Sequence, residues 1–179
     1  MKPRDTIPAF DAFLAARGER LDAVLIGGAA LGMLGIVSRE TRDCDVLSPP
    51  LSAAIKEASR EFAADCRRRG EPLDDEWLNN GPSSLGELLP TGWERRVEPL
   101  FTGAALHLSA LGRADFLKTK LFAFCDRRTD LGDCLALAPT QAELDEALSW
   151  VQAQDANDLW PAHVVEMFAE LSRRLGHGI

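Results

Sequence analysis

The sequence is poor in the features that most often announce an activity. Its four cysteines, Cys44, Cys66, Cys125 and Cys134, are scattered, with no Cys-x-x-Cys and no histidine pair beside them. That spacing excludes the common zinc sites and points to buried thiols in a reducing compartment. The three histidines, His107, His163 and His177, form no serine–histidine–acid or cysteine–histidine arrangement. His107 alternates with Leu106 and Leu108, so it reads as a solvated or hydrogen-bonded residue on the open side of a strand, with general base as the sharper reading. There is no Gly-x-Gly-x-x-Gly, and no Gly-Lys-Ser/Thr follows a glycine-rich turn, so neither a dinucleotide fingerprint nor a P-loop is present.

Long apolar runs are also lacking. The uncharged stretch from Ala23 to Val37 falls short of the roughly 20 residues that span a bilayer, and Gly27, Gly28, Gly32 and Gly35 interrupt it. Met1-Lys2-Pro3-Arg4-Asp5 leads into an amphipathic segment rather than a signal peptide. A cytoplasmic protein with no membrane partner is expected. No internal repeat or low-complexity segment occurs. Basic charge is scarce: 20 basic side chains face 28 acidic ones, a net charge of -8. This excludes broad, non-specific nucleic-acid binding, although a local basic cleft remains compatible with it.

What remains is ordinary globular material. A chain of 179 residues can hold one domain with a real core plus a helical appendage. The first helix is expected to be capped by Thr6, with Pro8 early and Gly18 at its exit, and Phe10, Phe13, Leu14 and Arg17 on one face. Ala23–Ile26 reads as a buried strand, Ala29–Leu34 as a helix, and Val46–Leu47 as a second strand that Ser48-Pro49-Pro50 ends. Leu51 to Arg69 reads as a helix with Leu51, Ile55, Ala58, Phe62 and Cys66 buried and Gly70 as its stop. Its terminal Arg67-Arg68-Arg69 reads as a solvated, dipole-friendly end, or as a grip on nucleic acid.

From Glu71 to Gly103, recurring prolines and glycines predict loops, pinned by Trp77 and Trp93. Two short strands are expected over Arg95–Phe101 and Ala105–Ala110. Further on, Arg113–Arg127 reads as a helix and a short helix starts near Asp130. Thr140 to Glu143 is a capping box, and Asn157 caps a last helix bearing Trp160, Val164, Phe168, Leu171 and Leu175. The apolar stripe from Thr140 to Leu175 reads as core, or as a face for a partner. The order predicts an α+β, α/β-like fold: a small mixed sheet with flanking helices, divided into a core over residues 1–112 and a helical region over 113–179.

The most informative stretch runs from Leu25 to Leu47. An apolar strand delivers Gly27-Gly28 into a helix start, where a backbone can approach a phosphate and the helix N-terminus favours an anion. Arg39, Thr41, Asp43 and Asp45 then share parity, so an extended segment would present all four on one side, with Cys44 and Val46 on the other. A guanidinium, a hydroxyl and two carboxylates on one face suit a nucleoside triphosphate with its Mg2+ ion. The bland alternatives are a tight turn and a surface ion-pair ladder. A second group, Lys120, Arg127, Arg128, Asp130 and Asp133, places cations beside a buried stripe, where they can meet phosphate oxygens. Its bland alternative is a local Arg127–Asp130 ion pair.

These residues resemble a known pattern. Gly27-Gly28 followed by Arg39-x-Thr41-x-Asp43-x-Asp45 resembles the signature of the nucleotidyltransferase superfamily, the polymerase-beta-like fold. The later run of Lys120, Arg127-Arg128 and Asp130-Leu131-x-Asp133 resembles the AbiEii toxin-like branch, over roughly Leu21 to Pro139. The resemblance implies that Gly27 and Gly28 hold the triphosphate and that Asp43 and Asp45 bind Mg2+. It implies that Lys120, with Arg127 or Arg128, contacts nucleotide phosphates, and that Asp130 or Asp133 completes the cleft. It also implies transfer of a nucleotide to an RNA end (tRNA 3′ ends included) or a protein hydroxyl, in a toxin–antitoxin or abortive-infection setting with an antitoxin protein as partner. In one respect the sequence departs from the pattern. Active members add a third acid from a later strand, and Leu106-His107-Leu108-Ser109 offers none. Asp74, Asp75 and Glu98 are the nearest alternatives in sequence. That departure favours, as the second reading, a nucleotide- or partner-binding protein without turnover.

Overall fold

The computed structural model describes residues 1–177, which divide into two compact units: Met1–Leu111, and the helical remainder from Gly112. Among the described residues there are five strands and eight α-helices, an α+β architecture. The first unit runs α1 (Pro3–Arg17), β1 (Leu21–Ile26), α2 (Gly27–Leu34), β2 (Cys44–Ser48), α3 (Ala53–Arg68), β3 (Leu78–Asn79), α4 (Leu85–Leu88), β4 (Glu98–Thr102) and β5 (Leu106–Ala110). The strands form one mixed sheet in the order β3-β2-β1-β5-β4. β1 pairs antiparallel with β2 and parallel with β5, with Ile26 opposite Asp45 and Leu25 opposite both Val46 and Ala110. The end of β1 therefore meets the start of β2.

Both central strands read as near-continuous apolar runs because the unit buries them, with Leu25, Ile26, Val46 and Leu47 almost wholly out of water. The helix layer packs through aromatic side chains. Phe10 of α1 lies 5.0 Å from Trp77, edge to face, and 5.2 Å from Phe62 of α3. The Trp77 indole N–H donates to the Ser59 carbonyl at 3.1 Å, so its one polar atom is satisfied in the core. All five residues of the expected α3 stripe are buried.

Several expectations shift. α1 begins at Pro3, not after Thr6. A proline in the first turn lacks only an N–H that no helical carbonyl would have received, so Pro3 takes the place expected of Pro8. Pro8 sits inside the helix on its exposed face. The region from Glu71 to Gly103 is not loops alone: it also holds β3, α4 and a 3-10 turn over Trp93–Arg95. That turn follows Gly92 at φ +78° and delays β4 to Glu98. β2 begins at Cys44, one residue after Asp43.

In the second unit, α5 (Arg113–Arg127) lies as expected, followed by α6 (Leu131–Leu137), α7 (Gln141–Gln152) and α8 (Trp160–Leu175). The capping box forms: the Glu143 N–H donates to Thr140 Oγ1 at 3.2 Å, and the Thr140 N–H returns to Glu143 Oε2 at 2.8 Å. Asn157 does not cap α8. Its side chain accepts from the Leu159 N–H at 2.9 Å in a turn ahead of the helix, which starts at Trp160. Trp160, Val164, Phe168 and Leu171 are buried, so that stripe is core.

Candidate functional site

β1 carries its apolar run straight into Gly27, whose φ of +74° turns the chain into α2. Only glycine adopts that conformation without strain. A Cβ at Gly27 would also lie 2.6 Å from Asp45 Oδ2, so the Asp45 carboxylate rests against the turn itself. At Gly28 a Cβ would lie 2.9 Å from Thr41 Oγ1 and 3.6 Å from Arg39 Nη1. The glycine pair is thus the bare floor on which Arg39, Thr41 and Asp45 meet. Thr41 is buried, and its hydroxyl donates to the Asp43 carbonyl at 3.2 Å, which fixes the backbone between the two acids. Asp43 and Asp45 are both half-buried, while Cys44 between them and Val46 beyond are fully buried.

The alternation decides which atoms are available to a ligand. Burial first, and then the Asp45 and Asp43 carboxylates, push the Cys44 thiol far above its usual range. It stays protonated and turned into the core, and so is neither nucleophile nor thiolate ligand. The donors at this position are carboxylate oxygens, the ligands of a hard divalent cation. Among the described residues no group of three or more His, Cys, Asp or Glu side chains gathers at metal-binding spacing. A pair of carboxylates is what a Mg2+ ion needs when substrate phosphates and waters fill the rest of its octahedron, so the residues present fit that ion.

The second expected group comes together within the helical unit. Lys120 Nζ lies 2.8 Å from Asp130 Oδ1 and 2.7 Å from Asp133 Oδ2, and Arg127 Nη2 lies 3.1 Å from Asp130 Oδ2. Lys120 and Asp133 are buried, whereas the Arg127 side chain is 61% exposed. Burial alone would lower the Lys120 pKa, but the bonds to Asp130 and Asp133 outweigh it and leave the ammonium above its ordinary value. For Asp130, burial pulls upward, and Lys120 and then Arg127 bring it below the usual carboxylate value. Arg128 closes α5 in the left-handed region at φ 60°.

Other residues have settled roles. His107 is exposed and its Nδ1 lies 2.8 Å from Asp22 on the neighbouring strand. Arg67 holds Asp75 and the Leu73 carbonyl at 2.7 and 2.6 Å, Arg68 pairs with Asp65, and Arg69 lies 3.7 Å from Glu71. Of the acids nearest in sequence, Asp75 is engaged in that ion pair, Asp74 accepts from the Glu76 N–H at 2.9 Å, and Glu98 is exposed on β4. Sequence reasoning missed Asp11. Its carboxylate accepts the N–H groups of Ala104, Ala105 and Leu106 at 3.1, 2.8 and 2.8 Å. Burial raises its pKa, but those donors bring it lower overall. No local feature of the sequence marks it; in the structure a Cβ at Gly103 would overlap the carboxylate.

A sequence profile described as a nucleotidyltransferase of unknown function (DUF6036) matches residues 7–141, which takes in the glycine turn, both acids and the Lys120–Asp133 group. The chain belongs to that family of nucleotidyltransferases, whose substrate includes a nucleotide. No curated protein and no solved structure matches it. Among the described residues no helix is long and apolar enough to cross a membrane.

Proposed function

We propose that the protein is a Mg2+-dependent nucleotidyltransferase that moves a nucleotide from a nucleoside triphosphate to an RNA or protein hydroxyl. The observation that carries this reading is the contact of Asp45 with the Gly27 turn, with Thr41 and Arg39 on Gly28 beside it. Asp43 and Asp45 would hold the ion. When bound, Mg2+ supplies charge neutralisation on the phosphates and favours an ionised acceptor hydroxyl. The protein's own residues do the positioning. The backbone N–H groups at Gly27, Gly28 and the first turn of α2 would face the triphosphate oxygens, the Arg39 guanidinium would donate from the side, and Thr41, whose hydroxyl donates to the Asp43 carbonyl, would hold the backbone between the two acids in place. In the transfer, the acceptor oxygen forms a bond to the α-phosphorus as the bond to the bridging oxygen of pyrophosphate breaks. The hydroxyl proton passes to solvent.

The phosphate-contact role of Lys120, Arg127, Asp130 and Asp133 belongs to the same proposal. Arg127 is the member with the most exposed donors, and Lys120 orders the two acids. The resemblance to the AbiEii-like branch adds a toxin role, with an antitoxin protein as partner, in the cytoplasm. The test is labelling of an RNA pool and of partner proteins by α-labelled nucleotides with Mg2+. Labelling by the wild type and none by the Asp43→Ala, Asp45→Ala double variant is expected. Undiminished labelling by the double variant overturns the mechanism, and growth arrest on expression that survives it overturns the toxin role.

One observation favours a second reading on the same fold. β5, parallel to β1, reads Leu106-His107-Leu108-Ser109-Ala110 and brings no carboxylate to the sheet. A nucleotide-binding protein without turnover would be stabilised by Mg2+ and nucleotide, would form no product with any acceptor, and would lose that stabilisation in the double variant.

A further inference from the structure

Arg39 and Thr41 reach the glycine turn on residues 35–43, a segment without regular structure between α2 and β2. Such a segment has backbone freedom to lose, so its position needs a cause. The contacts come from the residues ahead of α1 and in its first turn. The Thr41 N–H donates to the Met1 carbonyl at 3.0 Å, and the Thr41 carbonyl accepts from the Met1 nitrogen. Arg4 donates to the Gly32 carbonyl at 3.2 Å and to the Met33 carbonyl at 3.4 Å, at the end of α2 where carbonyls lack helical partners and a cation is favoured. Lys2 lies 3.9 Å from Glu40, an exposed pair of little weight.

α2 is shaped to receive these contacts. Gly28 and Gly32 fall at i and i+4, on one face of α2, and Gly35 follows as its left-handed C-cap at φ +77°. A Cβ at Gly28 would strike Thr41, one at Gly32 would come 3.2 Å from Pro3 Cγ, and one at Gly35 would come 2.6 Å from Arg4 Nη2. The bare face of α2 thus seats the loop at Gly28 and Pro3 at Gly32, and Arg4 lies against the Gly35 cap. A groove of 380 Å³ lined by Lys2, Arg4, Gly35, Ser38 and Arg39 runs along it.

We infer that residues 1–4 form a strap that sets the Arg39–Thr41 loop against the glycine turn, with Arg4 as its positioning residue. The inference rests on the nucleotide site proposed above. Arg4 bonds to the α2 terminus and acts on the site through the loop. Without it the loop samples more conformers, and affinity falls by the fraction of molecules whose Thr41 and Arg39 are in place.

Two measurements on the full chain test this. In Arg4→Ala, hydrogen exchange of amides 36–43 should quicken several-fold while β1 and α3 keep their protection, and calorimetric affinity for ATP with Mg2+ should fall about threefold to tenfold. Arg4→Lys should recover part of both. In an Arg39→Ala, Thr41→Ala background, Arg4→Ala should cost no further affinity, a result that loss of general stability would not produce. Unchanged loop exchange in Arg4→Ala, or an equal further loss of affinity in that background, overturns the strap. Should Arg4→Ala not fold, Gly32→Ala decides, since it displaces Pro3 while favouring the helix, and unchanged loop exchange there also overturns it. If the wild type binds no nucleotide, the proposed site fails, and the strap stands or falls on exchange alone.

Discussion

The two units each carry two aspartates close in sequence, and they set them among different neighbours. In the helical unit, Asp130 and Asp133 close on the buried Lys120 at 2.8 and 2.7 Å, and Arg127 adds a further cation. In the sheet unit, Asp43 and Asp45 stand half-buried at the start of β2, and Asp45 rests on the bare backbone of Gly27. An acid pair closed on a lysine is engaged in holding α5 to α6. Asp45 lies against the glycine turn, where the proposed site would take a hydrated cation and a phosphate. Spacing alone would rank the two alike; their neighbours separate them.

The largest expected effect tests the closed pair. Lys120→Met leaves two carboxylates facing each other with one cation fewer, and should lower the unfolding free energy by about 3–5 kcal/mol, read by urea denaturation. The companion Lys120→Met, Asp133→Asn variant should recover part of the loss. A cost below about 1 kcal/mol would show that water already serves the acids and would erase the contrast with the sheet unit.

The glycine turn comes next. Gly27→Ala forces a left-handed φ on a side chain and drives a Cβ into Asp45, and should cost about 2–3 kcal/mol of stability. Gly28→Ala has no positive φ to strain, and its Cβ meets the Thr41 side chain and the end of Arg39. It should cost less stability, while ATP affinity with Mg2+ falls in both variants. Equal stability losses, with affinity untouched in Gly28→Ala, would mean the turn is structural and nothing more.

These features were not equally legible in the sequence. Gly27-Gly28 and the burial of Cys44 are local facts and were readable, whereas the extended segment expected over Arg39 to Asp45 is irregular up to Asp43 and a strand only from Cys44. The α3 stripe and the Thr140 capping box were readable for the same reason. Asp11 was not, because its partners at Ala104, Ala105 and Leu106 lie far away in sequence and meet it only through the fold. The strap was hidden likewise, since Pro3 and Arg4 carry no motif until α2 offers its bare face. The start of α1 was misplaced because two prolines competed for one first turn. α8 was misplaced because Asn157 makes its bond to Leu159 in a preceding turn.

The smallest expected effect is an acid titration, and it sharpens the contrast by following an acid whose work is purely structural. Glu143 accepts from Arg113 Nε and Nη2 at 2.6 and 3.1 Å and from the Thr140 N–H at 2.8 Å. Arg113, against the upward pull of burial and with help from Thr140, holds its carboxyl down at about 2, below the ordinary 4.5. A carboxylate depressed on folding stabilises above its unfolded pKa and loses that contribution as pH falls through the folded one. The contribution of Glu143 is therefore whole above pH 4.5 and fades towards pH 2. Arg113 is 47% exposed, so solvent screening limits the pair, and with the cap included the effect is about 1 kcal/mol. Comparing the unfolding free energy of the wild type with that of Glu143→Gln from pH 7 downward should show a gap of this size that closes as the acid protonates. A gap that stays constant to pH 2 would mean that the glutamine serves Arg113 and Thr140 differently at every pH, and that the charge of Glu143 contributes nothing to the helical unit.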